Sequence, residues 1–149
     1  MRFIQRFQVR APLQTTMEFH SQPASMAAIT PPPVIVQMQY APARLSEGET
    51  MAFTLWLGPL PVRWLARIEA TSAEGFVDRQ VHGPFALWTH HHAFRPVNNE
   101  TTEVVDIVEA RLATDIWRAL LGIGMWFTLP FLFGYRAWKT RRLLEVGKV

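Results

Sequence analysis

Hydrophobic and polar residues alternate with period two from the start of the chain. Phe3, Gln5, Phe7 and Val9 fall on one side, and Arg2, Ile4, Arg6, Gln8 and Arg10 on the other, which predicts a first strand. Pro12 interrupts pairing and suits the first turn of a short helix from Leu13 to His20. A second short helix, Pro23 to Ile29, runs into Pro31, Pro32 and Pro33, which impose an extended backbone. Strands are expected at Val34–Arg44, Thr50–Gly58, Val62–Thr71, Phe76–His82, Ala86–Arg95 and Thr101–Leu112. Gly83–Pro84 and Asn98–Asn99 supply turns between the last three. From about 115 to 146 the pattern becomes one long helix. Thr114 or Asp115 can cap its start, and Lys139, Arg141 and Arg142 suit the negative end of its dipole.

The element order is thus strand, two short helices, six strands, long helix. A meander of antiparallel strands has one face to cover, and the terminal helix is the one element large enough to cover it. The expected class is α+β: a curved antiparallel sheet of about seven strands gripping a long C-terminal helix, in a single domain over 1–149. At 149 residues the chain can bury roughly 70% of its unfolded surface. It has no cysteine, which excludes disulfides and thiolate metal sites and accords with a cytoplasmic location. The start of the chain lacks the uninterrupted apolar stretch of a signal peptide. The net charge of +3 is small and its basic excess sits at the C-terminus, so no nucleic-acid groove is expected.

Alternation also assigns faces. Val62, Trp64, Ala66 and Ile68 oppose the charged Arg63, Arg67 and Glu69, so the first set should face the helix. By the same logic Thr102, Val104, Asp106, Val108 and Ala110 point inward, as do Trp88, His90, His92 and Phe94. Phe76, Asp78, Gln80 and His82 share a side of their strand, although a bulge near Gly83 would flip part of that assignment. One inner face then combines large apolar side chains with Asp78, Gln80, His90, His92 and Asp106. Unpaired polar groups cost roughly 1–3 kcal/mol each when buried, so these must satisfy one another, hold water or contact a ligand.

The run Phe76-x-Asp78-x-Gln80-x-x-Gly83-Pro84-Phe85-x-x-Trp88-x-His90-x-His92-x-Phe94, then Thr102-x-x-x-Asp106, then a closing helix with Phe133-x-Tyr135-Arg136, resembles the START-like SRPBCC superfamily. Within it the likeness is to proteins described as polyketide cyclase/dehydrase or ligand-binding SRPBCC domains. That resemblance implies a hydrophobic cavity between sheet and helix without naming its occupant. The expected ligand is a hydrophobic, lipid- or polyketide-like small molecule. Trp64, Ile68, Phe76, Trp88, Phe94 and Phe127 would form apolar walls, and Asp78, Gln80, His90, His92 and Asp106 would orient a polar group.

The rival expectation is an enzyme of the cyclase or dehydratase type, with His90 or His92 as acid/base and Asp78 or Asp106 orienting it. No nucleophile pattern or phosphate loop accompanies these residues, and no cofactor is implied. His90 and His92 project from one strand face and could hold an ion with Asp78 or Asp106, but nothing else has ligand spacing, so no metal site is assigned.

The terminal helix departs from the usual pattern. No residue between Arg118 and Arg136 is charged, and Gly122, Gly124 and Pro130 interrupt it. Three arrangements fit: a second apolar face covered by the two short helices or by a homodimer partner, a face resting on a membrane, or a membrane span. The uncharged stretch makes ~26 Å of helix against a ~30 Å hydrocarbon core, short for a span.

Overall fold

The computed structural model describes residues 1–145. Its elements are β1 (Arg2–Val9), α1 (Leu13–His20), α2 (Pro23–Ala28), β2 (Ile35–Tyr40), β3 (Thr50–Leu57), β4 (Leu60–Ser72), β5 (Gly75–His82), β6 (Phe85–Pro96), β7 (Thr102–Leu112) and α3 (Ile116–Leu144). The strands form one antiparallel sheet in the order β1-β7-β6-β5-β4-β3-β2. This is the expected helix-grip arrangement, with β1 added to the free edge of a β2–β7 meander. Position 146, where α3 was expected to end, lies outside the described residues.

Element bounds shift for local reasons. β2 is shorter than Val34–Arg44 because its register against β3 breaks between Met38 and Tyr40, and Pro42 has no N–H for the ladder. β4 starts earlier than Val62, since Pro61 still sits opposite Trp56 on β3.

The faces follow alternation closely. Val62, Trp64, Ala66 and Ile68 are buried, as are Trp88, His90, His92 and Phe94, and Thr102, Val104, Asp106, Val108 and Ala110. On β5 the inner set Phe76, Asp78 and Gln80 is only partly buried. Its pairing with β4 is irregular at Leu65/Ala66, where Val81 is the extra residue two before Gly83, and at Ile68/Ala70, and β6 shifts against β7 between Phe85 and Leu87, so the bulge expected near Gly83 is present.

α3 crosses this inner face and buries Gly122, Leu129, Phe133, Ala137 and Thr140. Its start is capped by Asp115, whose side chain accepts from the Arg118 N–H at 2.9 Å, and the Arg118 guanidinium donates to the Gly83 carbonyl at 2.6 Å. At the far end Arg141 donates to the Gln8 carbonyl at 2.8 Å, and Glu145 accepts from the Arg10 N–H at 2.6 Å. Both ends of the helix are thereby tied to the sheet. Gly122 permits the close crossing, because a Cβ there would meet Leu112 at 3.1 Å and Phe85 at 3.2 Å. The helix runs through Pro130 as one element.

α1 and α2 pack on β6, on β2 and on each other. They leave the outer side of α3 bare, which corrects the expectation that they cover it: Ile116, Trp117, Leu120, Phe127, Phe131 and Trp138 are all exposed.

Gly75 opens β5 with φ +145, and a Cβ there would lie 1.8 Å from the His92 carbonyl oxygen. Gly75→Ala should therefore lower unfolding free energy by more than ~2 kcal/mol in a denaturant titration. Gly124→Ala, on the open side of α3 with nothing within 4 Å of its Cβ, should be neutral or stabilising by up to ~1 kcal/mol. Equal effects at the two positions would contradict the packing described.

Candidate functional site

Three adjacent strands set the polar groups in one patch. On β5 and β6 Asp78 stands opposite His90, and on β6 and β7 His92 stands opposite Asp106. Each histidine nonetheless bonds the carboxylate diagonal to it. His90 Nε2 donates to Asp106 Oδ1 at 2.7 Å, and His92 Nε2 donates to Asp78 Oδ2 at 2.6 Å. Diagonal neighbours on a twisted antiparallel sheet are within reach of long side chains, and the crossing lets the two imidazoles lie against each other with centroids 3.7 Å apart. Phe76 stacks on the far side of His92 at 4.3 Å, and Phe133 meets His90 edge-on at 5.3 Å.

The crossing decides which ring nitrogens remain available. Because a carboxylate only accepts, each Nε2 carries a proton, and a neutral His92 ring keeps its lone pair on Nδ1. His90 Nδ1 lies 3.8 Å from Asp78 Oδ2, and His92 Nδ1 lies 3.9 Å from Asp106 Oδ1, both too long for a hydrogen bond. The buried His92 Nδ1 has no hydrogen-bond partner.

Charge in the patch is set by burial and by neighbours. Burial pushes His92 down to about 4, helped by repulsion from His90 and opposed by the Asp78 bond. His20, on α1, is likewise pushed down to about 4 by burial, against its bond to the Thr16 carbonyl. Burial would raise both carboxyls, but the bond from His92 holds Asp78 below its ordinary value and the bond from His90 does the same for Asp106. Arg136 on α3 favours both carboxylates in turn; burial lowers Arg136 while Asp106 and Asp78 keep it charged. At neutral pH the patch is two carboxylates and a guanidinium around a neutral His92.

A cavity of about 150 Å³ opens beside this patch, between the sheet, α2 and α3. Of the expected site residues Trp64, Phe76, Asp78, Trp88, His90 and His92 line it. Asp106 is buried beneath His90 and acts through it. Gln80 turns to the strand end, where its amide bonds the Phe85 N–H and carbonyl at 3.0 and 2.7 Å. Ile68 and Phe94 face inward but are buried away from the cavity. Phe127 is a correction: it is 78% exposed on the outer side of α3, because Leu129 and Phe133 take the inward phase of the helix.

Sequence reasoning missed His20, Met51, Phe53 and Arg136 on the lining. For Arg136 a signal existed: it lies three residues after Phe133 and one before Ala137, on the buried side. Asp78, His90 and His92 also offer ligand atoms within 4.8 Å of one another, a spacing that could hold a metal ion. Arg136 lines the same cavity, and its positive charge works against a dication there.

No known family model matches the chain, and no curated protein matches it in sequence. The backbone does resemble solved structures. Protein CV1439 from Chromobacterium violaceum shares 10% identity over 97% of this chain and 96% of its own, with TM-score 0.74. The di-domain aromatase/cyclase BexL shares 18% identity with TM-score 0.71; the match covers 99% of this chain and 47% of BexL, about half its length. The Zhui aromatase/cyclase from a Streptomyces species shares 17% identity over 100% of this chain and 99% of its own, with TM-score 0.67. At such identities the likeness shows the fold alone, a helix-grip fold in which a curved antiparallel sheet holds a long C-terminal helix.

The depressed histidines set a pH dependence. Between about 6.5 and about 4 the unfolded chain binds more protons at His20 and His92 than the folded one, so stability is full above that window and is lost as pH falls through it. Melting temperature should drop steadily from pH 6.5 to pH 4, and less steeply in His20→Gln. A flat profile in the unsubstituted protein would show that these rings are not held neutral by burial.

Proposed function

We propose that this chain binds a compact apolar molecule carrying a hydroxyl or similar donor, seated in the cavity under α3. The donor bonds the carboxylate of Asp78, and the apolar body lies among Met51, Phe53, Trp64 and Trp88. The observation that carries this reading is a partly exposed carboxylate, that of Asp78, set in a mostly apolar lining. The His92 N–H occupies one lone pair of that carboxylate, and a ligand donor can take another.

Size narrows the ligand class. About 150 Å³ suits a single aromatic ring or a short branched chain, whereas a lipid tail or polycyclic polyketide requires the mouth to widen. The exposed lining residues Gln22 and Thr128 place that mouth between the start of α2 and the middle of α3. Likeness to BexL and Zhui favours phenolic or polyketide-like molecules over plain hydrocarbons.

A second reading is acid–base chemistry of the cyclase or dehydratase type. It is favoured by the Asp-held tautomer, which leaves Nδ1 as a base. Against it, a His92 pushed down to about 4 is a weak base at neutral pH, good as an acceptor and poor at removing protons.

The test compares para-alkylphenols with their methyl ethers by thermal shift and native mass spectrometry. The phenols should bind about tenfold more tightly, ~1.4 kcal/mol. Asp78→Leu combined with His92→Phe, which removes the pair without stranding either partner, should abolish that preference, and Leu132→Trp, which fills the cavity, should abolish binding while the protein still folds. Equal affinity for phenol and ether, or no binding by either, overturns the reading. For the second reading, replacing His90 and His92 together by Gln should leave binding of a true substrate measurable and remove its turnover.

A further inference from the structure

The outer side of α3 is unlike the surface of a helix that faces only water. Ile116, Leu120, Ile123, Phe127 and Phe131 recur every three or four residues along it, Trp138 follows seven residues further on, and all are exposed, Phe127 by 78% and Phe131 by 70%. Trp117, 77% exposed, flanks the stripe near its start, and Trp138 sits near its end. Twenty-one residues separate the two indoles by position, or ~32 Å along the axis. No residue from Ile116 to Leu144 is acidic, and Arg118, Arg136, Lys139, Arg141 and Arg142 all fall within the helix. The exposed Arg142 guanidinium lies 5.3 Å over the Trp138 ring, so the apolar stripe ends in a cationic, aromatic border.

We infer that this face docks in the plane of an anionic lipid surface. The aromatic and aliphatic stripe enters the headgroup–acyl boundary, and Lys139 and Arg142 meet the lipid phosphates. Charge complementarity points to an anionic lipid surface, because the stripe has no acidic residue from Ile116 to Leu144 and is bordered at one end by Lys139 and Arg142. By length and composition α3 would also pass as a membrane span. Its attachments oppose that: Arg136 answers the buried Asp78 and Asp106, Leu129 and Phe133 are packed on the sheet, and Arg118 and Arg141 tie both ends to sheet carbonyls. Lying flat keeps every one of these contacts. The cavity mouth borders the same face, since Thr128 both lines the cavity and is exposed beside Phe127.

The experiment is vesicle flotation of the full chain with phosphatidylcholine alone and with phosphatidylcholine containing phosphatidylglycerol. The protein should float with the anionic vesicles, bind the neutral ones at least tenfold more weakly, and be released by salt. Phe127→Gln with Phe131→Gln should reduce binding at least tenfold while circular dichroism and melting temperature stay unchanged, as both side chains are exposed. Lys139→Gln with Arg142→Gln should remove the preference for phosphatidylglycerol. Leu132→Trp should bind vesicles as the parent does, which separates this result from any failure of the ligand reading. Equal flotation with neutral and anionic vesicles, no flotation, or unaltered binding by the double phenylalanine variant overturns the inference. So does concentration-dependent dimerisation that the same variant abolishes without vesicle binding, which would assign the face to a second copy.

Discussion

Burying two carboxylates and two imidazoles in an otherwise apolar interior is the constraint around which this molecule is organised. Each ion removed from water carries a penalty of several kcal/mol that only close, well-directed partners offset. The crossed pairing of His90 with Asp106 and His92 with Asp78 provides those partners, with Arg136 from α3 adding a third charge. Four of these five groups stand on β5, β6 and β7 and the fifth on the helix above. The cluster therefore requires the correct register of three strands and the correct phase of one helix at once. A one-residue slip in any strand would turn a carboxylate or an imidazole to the outer face and leave its partner unmatched.

The same cluster defines what the neighbouring space can do. Two acceptor oxygens are taken up by ring N–H groups, and each ring is fixed in orientation through its Nε2. Around them Trp64, Trp88 and Phe53 exclude water, and Trp64 packs edge-on against Trp88 with centroids 5.3 Å apart. A low-dielectric wall next to a fixed acceptor strengthens any single hydrogen bond formed there.

Much of this was legible in the chain because β-sheets with one covered face write their geometry as alternation. Val62 to Ile68 and Thr102 to Ala110 declared their inner sides by the charged residues between them, Trp88 to Phe94 by its greater bulk, and the sheet buries all three sets. Alternation has no coordinate along the strand, however. It placed Ile68 and Phe94 on the same face as Trp64 without distinguishing residues under the helix from those under the cavity. α3 hid its phase for a related reason: with apolar residues all round, no polar stripe marked the solvent side, and Phe127 was read as inward. Arg136 and His20 escaped because their roles arise from elements packing over the sheet, a tertiary outcome that no local pattern records.

α3 carries the guanidinium that steadies the acid pair on its inner side and the aromatic stripe on its outer side, within one continuous rod. A rigid rod cannot be nudged on one flank without shifting the other. By thermodynamic reciprocity, an occupant of the hollow that moves Arg136 must change how the far flank meets its surroundings, and contact on that flank must change the occupant's affinity by an equal factor.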